Sequence, residues 1–167
     1  KHHPCQVLAD IMTLFEVFKD PFEITIAYVG GGNNVCNSLI EASKKLGIKI
    51  TVATPKDLKP DIEPDIWTTE PEEAVKDADA VYTDTWVSMG LEDRAQGHNV
   101  FMPYQVNEHL MAKANEDALF LHCLPAHRGE EVTDAVIDGP QSVVFDEAEN
   151  RMHMQKAIIE WCLKNPK

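Results

Sequence analysis

Positive charge, long apolar runs and paired cysteines are what this sequence has little of. Lysine and arginine number 15 against 28 aspartates and glutamates, a net charge of −13. A surface of that sign repels the phosphates of nucleic acid and of anionic membranes, so neither is expected as a partner. No apolar stretch approaches the ~20 residues that a helix needs to cross a bilayer. The four cysteines, Cys5, Cys36, Cys123 and Cys162, include no C-x-x-C pair. A disulfide scaffold is therefore not expected, and reduced thiols in a cytoplasmic protein (or a mitochondrial-matrix one, if eukaryotic) are the simpler reading. Lys1 to Gln6 lack the charged-then-apolar layout of a secretion leader. With Lys1 in place of a methionine, the chain is expected to begin inside a longer gene product.

What is present suits one folded unit. A chain of 167 residues, 44% hydrophobic and 26% charged, is long enough for one real core and too short for two domains of ordinary size. Residues 1–167 are accordingly read as a single domain. Leu8, Ile11, Met12, Phe15 and Phe18 recur at helical spacing, predicting an amphipathic helix over 3–19 that Asp20-Pro21 ends. Ile24 to Val29 is apolar on both faces, as in a buried parallel strand. Further strands are expected at Ile48–Ala53, Ala80–Asp84, Ala118–His122 and Ser142–Phe145. Helical stretches fall between them, near Pro71–Asp77, Val106–Asn115 and Glu130–Ile137, and a last helix is expected over 147–163. This alternation predicts a three-layer, Rossmann-like α/β domain. Its parallel sheet would have about five strands, covered by helices on both faces.

In such folds ligands sit beyond the carboxyl ends of the strands, and the chemically suggestive residues fall there. Gly30-Gly31-Gly32 lies between a strand and a helix but fails the G-x-G-x-x-G spacing, because position 35 is Val35. A tight turn capped by Asn33 or Asn34 is the better reading than a dinucleotide site. His3-Pro4-Cys5-Gln6 opens the first helix, where Pro4 costs nothing and free N–H groups favour an anion. An ordinary helix start with exposed polar residues is, on these residues alone, the better reading. Asp84 could pair with a substrate ammonium or cap its own turn. Cys123 is either an inert buried thiol or a thiolate tuned by a neighbour. A direct couple with His122 is not expected, since adjacent residues on an extended chain point to opposite sides. Arg151 sits near a helix start, an unfavourable place for a cation unless an anion faces it.

Taken together, His3-Pro4-Cys5-Gln6, Gly30-x-Gly32-Asn33-Asn34, Asp84-Thr85-Trp86-Val87-Ser88-Met89-Gly90, His122-Cys123-Leu124-Pro125 and Glu149-Asn150-Arg151 resemble the ordered motifs of the ornithine carbamoyltransferases. The Asp-x-x-x-Ser-Met-Gly and His-Cys-Leu-Pro pair is particular to the ornithine branch. The resemblance covers the chain as the carboxyl-terminal, ornithine-binding half of such an enzyme. It implies carbamoyl transfer from carbamoyl phosphate to the δ-amine of ornithine, giving citrulline and phosphate, with no cofactor and no metal. By the same resemblance His3, Pro4, Cys5, Gln6 and Arg151 contact carbamoyl phosphate, and Asn34, Asp84, Ser88 and Met89 hold ornithine. Cys123 and Leu124 lie near the reacting amine, and His3, Asp84, Cys123 and Arg151 are the implied catalytic set. The family is built on homotrimers.

Two departures stand out. Gly31 replaces the family's usual aspartate, which removes a hydrogen-bonding side chain from the loop. The Ser-x-Arg-Thr phosphate loop of the family's amino-terminal half occurs nowhere in these residues. Helices 3–19 and 147–163, which bridge the two halves in the family, would then lack part of their packing partner. The chain alone is expected to be inactive. The rival expectation is a non-catalytic amino-acid-binding or interaction module.

Overall fold

A computed structural model describes residues 2–86 and 98–166. Helix α1 (Pro4–Val17) opens with Pro4 in the first turn, where its missing N–H is not needed. Strand β1 (Thr25–Val29) follows, then α2 (Asn34–Leu46), β2 (Lys49–Ala53) and β3 (Ile66–Thr68). Asn33 caps α2 by accepting the N–H groups of Val35 and Cys36. Gly47 ends α2 in the left-handed conformation, its N–H donating to the Ser43 carbonyl. The remaining elements are α3 (Pro71–Val75), β4 (Ala80–Thr83), α4 (His98–Phe101), α5 (Glu108–Met111), β5 (Leu119–His122), α6 (Asp134–Ile137) and α7 (Val144–Lys164).

All five strands are parallel, in the order β3-β2-β1-β4-β5. Side chains alternate between two cores. Ile26, Tyr28, Ile50, Val52, Tyr82 and Leu121 pack with Val7, Leu14 and Leu39 of α1 and α2. Ala27, Val29, Ala53, Val81 and Phe120 pack with Val75, Leu110 and Ile137 of α3, α5 and α6. The expected α/β fold is therefore present, with both faces covered. The chain winds outward from β1 to β3, then crosses back to β4 and β5. The strand order thus reverses between β1 and β4, which opens a crevice at their carboxyl ends.

Several element assignments need correction. Ser142–Phe145 is not a strand. Only Ser142 makes an isolated bridge, to Phe120, and Val144 already begins α7. Val144 is buried in the second core, and Asp146 and Glu147 in the first turn favour a helix start. The fifth strand is instead β3, three residues at the sheet edge, shorter than the roughly 4–8 residues over which strand alternation can be read. The stretches expected to be helical near 106–115 and 130–137 shrink to the single turns α5 and α6.

Gly32 is fixed by space rather than by backbone angle. A Cβ there would lie 2.2 Å from the Pro60 nitrogen and 2.3 Å from the Lys59 carbonyl carbon, both backbone atoms that cannot step aside. At Gly47 (φ +76°) an added Cβ would meet nothing, so only the left-handed backbone disfavours it. Gly32→Ala is expected to cost about 3 kcal/mol by forced overpacking, and Gly47→Ala about 1 kcal/mol. Urea midpoints in the reverse order would contradict this account of the loop.

Candidate active site

The crevice between β1 and β4 is where the first group of polar side chains meets. In register, Val29 stands beside Thr83, so the residues just after these strands emerge side by side. Asp84 follows β4 and is buried. Its Oδ2 accepts a hydrogen bond from Asn33 Nδ2 at 2.6 Å, and its Oδ1 accepts from the Thr85 N–H at 2.7 Å. The Cys123 thiol, just after β5, donates to the same Oδ1 at 3.0 Å. Three neighbouring strand ends thus contribute to one carboxylate.

The surroundings decide the state of Cys123. Burial pushes its thiol up, and the charge and hydrogen bond of Asp84 push it further. The side chain is therefore a thiol that donates, not an activated thiolate. His122 turns the other way. Its Nδ1 accepts from the Leu124 N–H at 2.9 Å, which leaves Nε2 to donate to Glu131 at 3.2 Å. Both ring nitrogens are thus structurally committed, and His122 makes no couple with Cys123. Leu124 itself has φ +52°, unusual for a branched side chain. It turns the chain sharply where its carbonyl is implied to face a substrate.

The second group lies where α1 meets α7. Gln6 Nε2 donates to Asp10 Oδ1 at 2.8 Å and to Glu147 Oε1 at 3.0 Å. Gln6 Oε1 accepts from Arg151 Nη1. The Arg151 Nε is buried with no hydrogen-bond partner among the described residues, so donor capacity remains for an anion. Tyr82 donates to Glu147 at 3.3 Å, and its ring stacks on Tyr28 at 5.9 Å between centroids. Tyr28 in turn donates to the Gly31 carbonyl at 3.0 Å. The two tyrosines run between the α1/α7 group and the glycine turn.

Of the residues singled out in the sequence, Gln6 joins Arg151, and Asp84 joins Cys123. His3 stands at the amino end of α1, where its backbone N–H donates to Ser38 on α2 at 2.7 Å. Pro4 and Cys5 fill the first turn of the same helix, and Asn34 is the half-buried first residue of α2. Ser88 and Met89 lie outside the described residues. The sequence reading overlooked Asn33 as the partner of Asp84, and also Asp10 and Glu131, and it took Glu147 only for a first-turn acid of the last helix. Asp10 was detectable, since it lies on the same helix face as Val7, Ile11 and Leu14.

His127, Glu130 and Glu131 bring ligand atoms within 4.8 Å of one another, but Glu131 is already engaged by His122 and by the His127 N–H. A groove of about 500 Å³ between α5 and α6, lined by Met111, Asn115, Val136 and Gly139 among others, contains none of the residues above.

The family model described as aspartate/ornithine carbamoyltransferase, Asp/Orn binding domain, matches residues 22–162. The chain belongs to this family. An ornithine carbamoyltransferase of Brucella abortus is 57% identical over 98% of the chain, and one of Mesorhizobium japonicum is 59% identical over 96%. Those alignments span 55% and 56% of the relatives, so the chain covers about half their length. The structure of ornithine carbamoyltransferase from Pyrococcus furiosus superposes with a TM-score of 0.90 at 47% identity, over 95% of this chain and 55% of that one. Ornithine transcarbamoylase from Giardia lamblia gives 0.88 at 33% identity, over 99% and 61%.

The thiol assignment has a direct consequence. At pH 8, iodoacetamide should label the exposed Cys162 readily and Cys123 at least about tenfold more slowly. Asp84→Asn should speed the labelling of Cys123, because it removes the negative neighbour that disfavours a thiolate. Peptide mass spectrometry reads both rates, and preferential labelling of native Cys123 would contradict the assignment.

Proposed function

We propose that this domain provides the ornithine side of a carbamoyltransferase that makes citrulline and phosphate from ornithine and carbamoyl phosphate. The observation that carries the reading is Asp84, a buried carboxylate held between Asn33 and the Cys123 thiol at the sheet's switch point. Asn34, Asp84, Ser88 and Met89 bind ornithine. Asp84 and Cys123 place the δ-amine, which must lose a proton before it can attack. The neutral nitrogen then forms a bond to the carbamoyl carbon, and the carbonyl becomes an oxyanion. His3 and Arg151 stabilise that charge. Collapse of the tetrahedral intermediate breaks the bond to the phosphate oxygen, which leaves with its electron pair and takes up the proton that the attacking nitrogen releases. Cys123 forms no covalent intermediate, in keeping with its protonated state. Pro4, Cys5, Gln6 and Leu124 complete the contacts.

Carbamoyl phosphate needs more than this chain offers, since Ser-x-Arg-Thr is absent from its sequence. Exposed apolar side chains on α1 and α7 support a missing partner. Leu8 and Phe15 are 40% and 39% exposed, and Trp161 and Leu163 are 66% and 77% exposed. Such a surface calls for cover, and the amino-terminal half of the same enzyme is the cover assigned to it. The complete protein is placed in the cytoplasm as a homotrimer. No described helix is long and apolar enough to cross a membrane.

The test is a citrulline assay with the chain alone and joined to an amino-terminal half that bears the phosphate loop. Background turnover alone and sustained turnover when joined are expected. Turnover by the isolated chain at the joined rate would refute the incomplete site. No turnover by the joined protein, with ornithine binding intact, would favour a non-catalytic binding module.

A further inference from the structure

Gln6 carries the most constrained side chain at the α1/α7 contact. Its amide nitrogen has two N–H groups, and two buried carboxyl groups use them, Asp10 on α1 and Glu147 on α7. Both acids have no exposed surface, and Gln6 keeps 2% of its own. The amide oxygen is taken by Arg151. Turning the amide over would aim its oxygen at two carboxyl groups and its N–H groups at a guanidinium, so the orientation is set electrostatically. Arg151 bonds to the amide rather than to either acid. Glu147 already accepts on both oxygens, from Gln6 and Tyr82 on Oε1 and from the His122 N–H on Oε2. The Asp10 Oδ2 is buried with no partner among the described residues. Two full negative charges on one amide, away from water, are strongly disfavoured.

We propose that Asp10 and Glu147 hold one proton between them at and above neutral pH, and that this pair positions Gln6, and through it Arg151, for the anionic substrate. The second half of that statement rests on the carbamoyltransferase reading, whereas the first does not. The pair touches no substrate and acts only through Gln6, which makes Asp10 and Glu147 positioning residues. The groups facing it are Tyr82 from β4 and Arg151 from α7, with Asp84 and Cys123 beyond Tyr82. Burial pushes both acids up, Asp10 to about 7 and Glu147 well above the usual carboxylate range. The first proton therefore belongs to the pair, and a second joins only as pH falls through about 7.

Infrared spectroscopy of the native chain at pH 8 tests the proton, because every ordinary carboxyl is ionised there. A protonated-carboxyl stretch is expected, and it should vanish in the Asp10→Asn/Glu147→Gln double variant. Absence of that band from the native chain would overturn the proposal without reliance on any variant folding. Kinetics of the chain joined to its amino-terminal half test the positioning. Asp10→Ala should raise KM for carbamoyl phosphate about tenfold, the loss of one good hydrogen bond. Asp10→Asn, which still accepts from Gln6, should restore it, while KM for ornithine stays within about twofold. An unchanged KM for carbamoyl phosphate in Asp10→Ala would overturn the positioning role. If even the native joined protein made no citrulline, the carbamoyltransferase reading would fail, and the infrared band would still decide the proton.

Discussion

A carboxyl group sealed from water must find its donors inside the protein, and Glu147 finds them on three separate elements. It accepts from Gln6 on α1, from Tyr82 on β4 and from the backbone of His122 on β5, while belonging itself to α7. Both polar groups at the site depend on this one side chain. Through Gln6 it sets Arg151, and through His122 it fixes the end of β5, where Cys123 turns toward Asp84. Below it the two stacked tyrosines carry the same order to the Gly31 turn. Helix α7 is therefore the element that holds the crevice in shape.

The alternation of apolar strands and helices was readable because burial on both sheet faces leaves continuous runs such as Ile24 to Val29. Elements shorter than the runs over which a period can be read were not. β3, Ile66–Thr68, has three residues and drew no strand assignment, whereas Ser142–Phe145 has strand-like residues of which packing draws Val144 and Phe145 into a helix. The site showed the same division. Residues at strand ends, such as Asp84 and Cys123, were visible because topology places ligands there. Asn33 looked like a cap, and it is one, but its second role needs Asp84, 51 positions away. The pairing of Asp10 with Glu147 is likewise a product of two helices meeting.

Gly31 illustrates how packing replaces a missing group. Its carbonyl accepts from Tyr28, and a Cβ at this position would lie 3.3 Å from the ring of Phe101. That ring stacks on Trp86 at 5.7 Å, two residues past Asp84. Aromatic cover thus stands over the turn where the family usually carries an aspartate. The other apolar surface, along α1 and the carboxyl half of α7, has no such cover among the described residues. Only Val144, Glu147 and Asn150 of α7 are buried, so the helix is anchored at its first half and bare along its second.

The central claim is that the β1/β4 crevice receives an amino acid whose ammonium faces Asp84. Amide chemical shifts of the isotope-labelled chain, followed as L-ornithine is added, test it most directly. The account predicts changes confined to the residues after β1, β4 and β5, around 33–36, 84–86 and 122–124, and their loss in Asp84→Asn. Saturable changes centred on the groove between α5 and α6, or changes that survive Asp84→Asn undiminished, would contradict it.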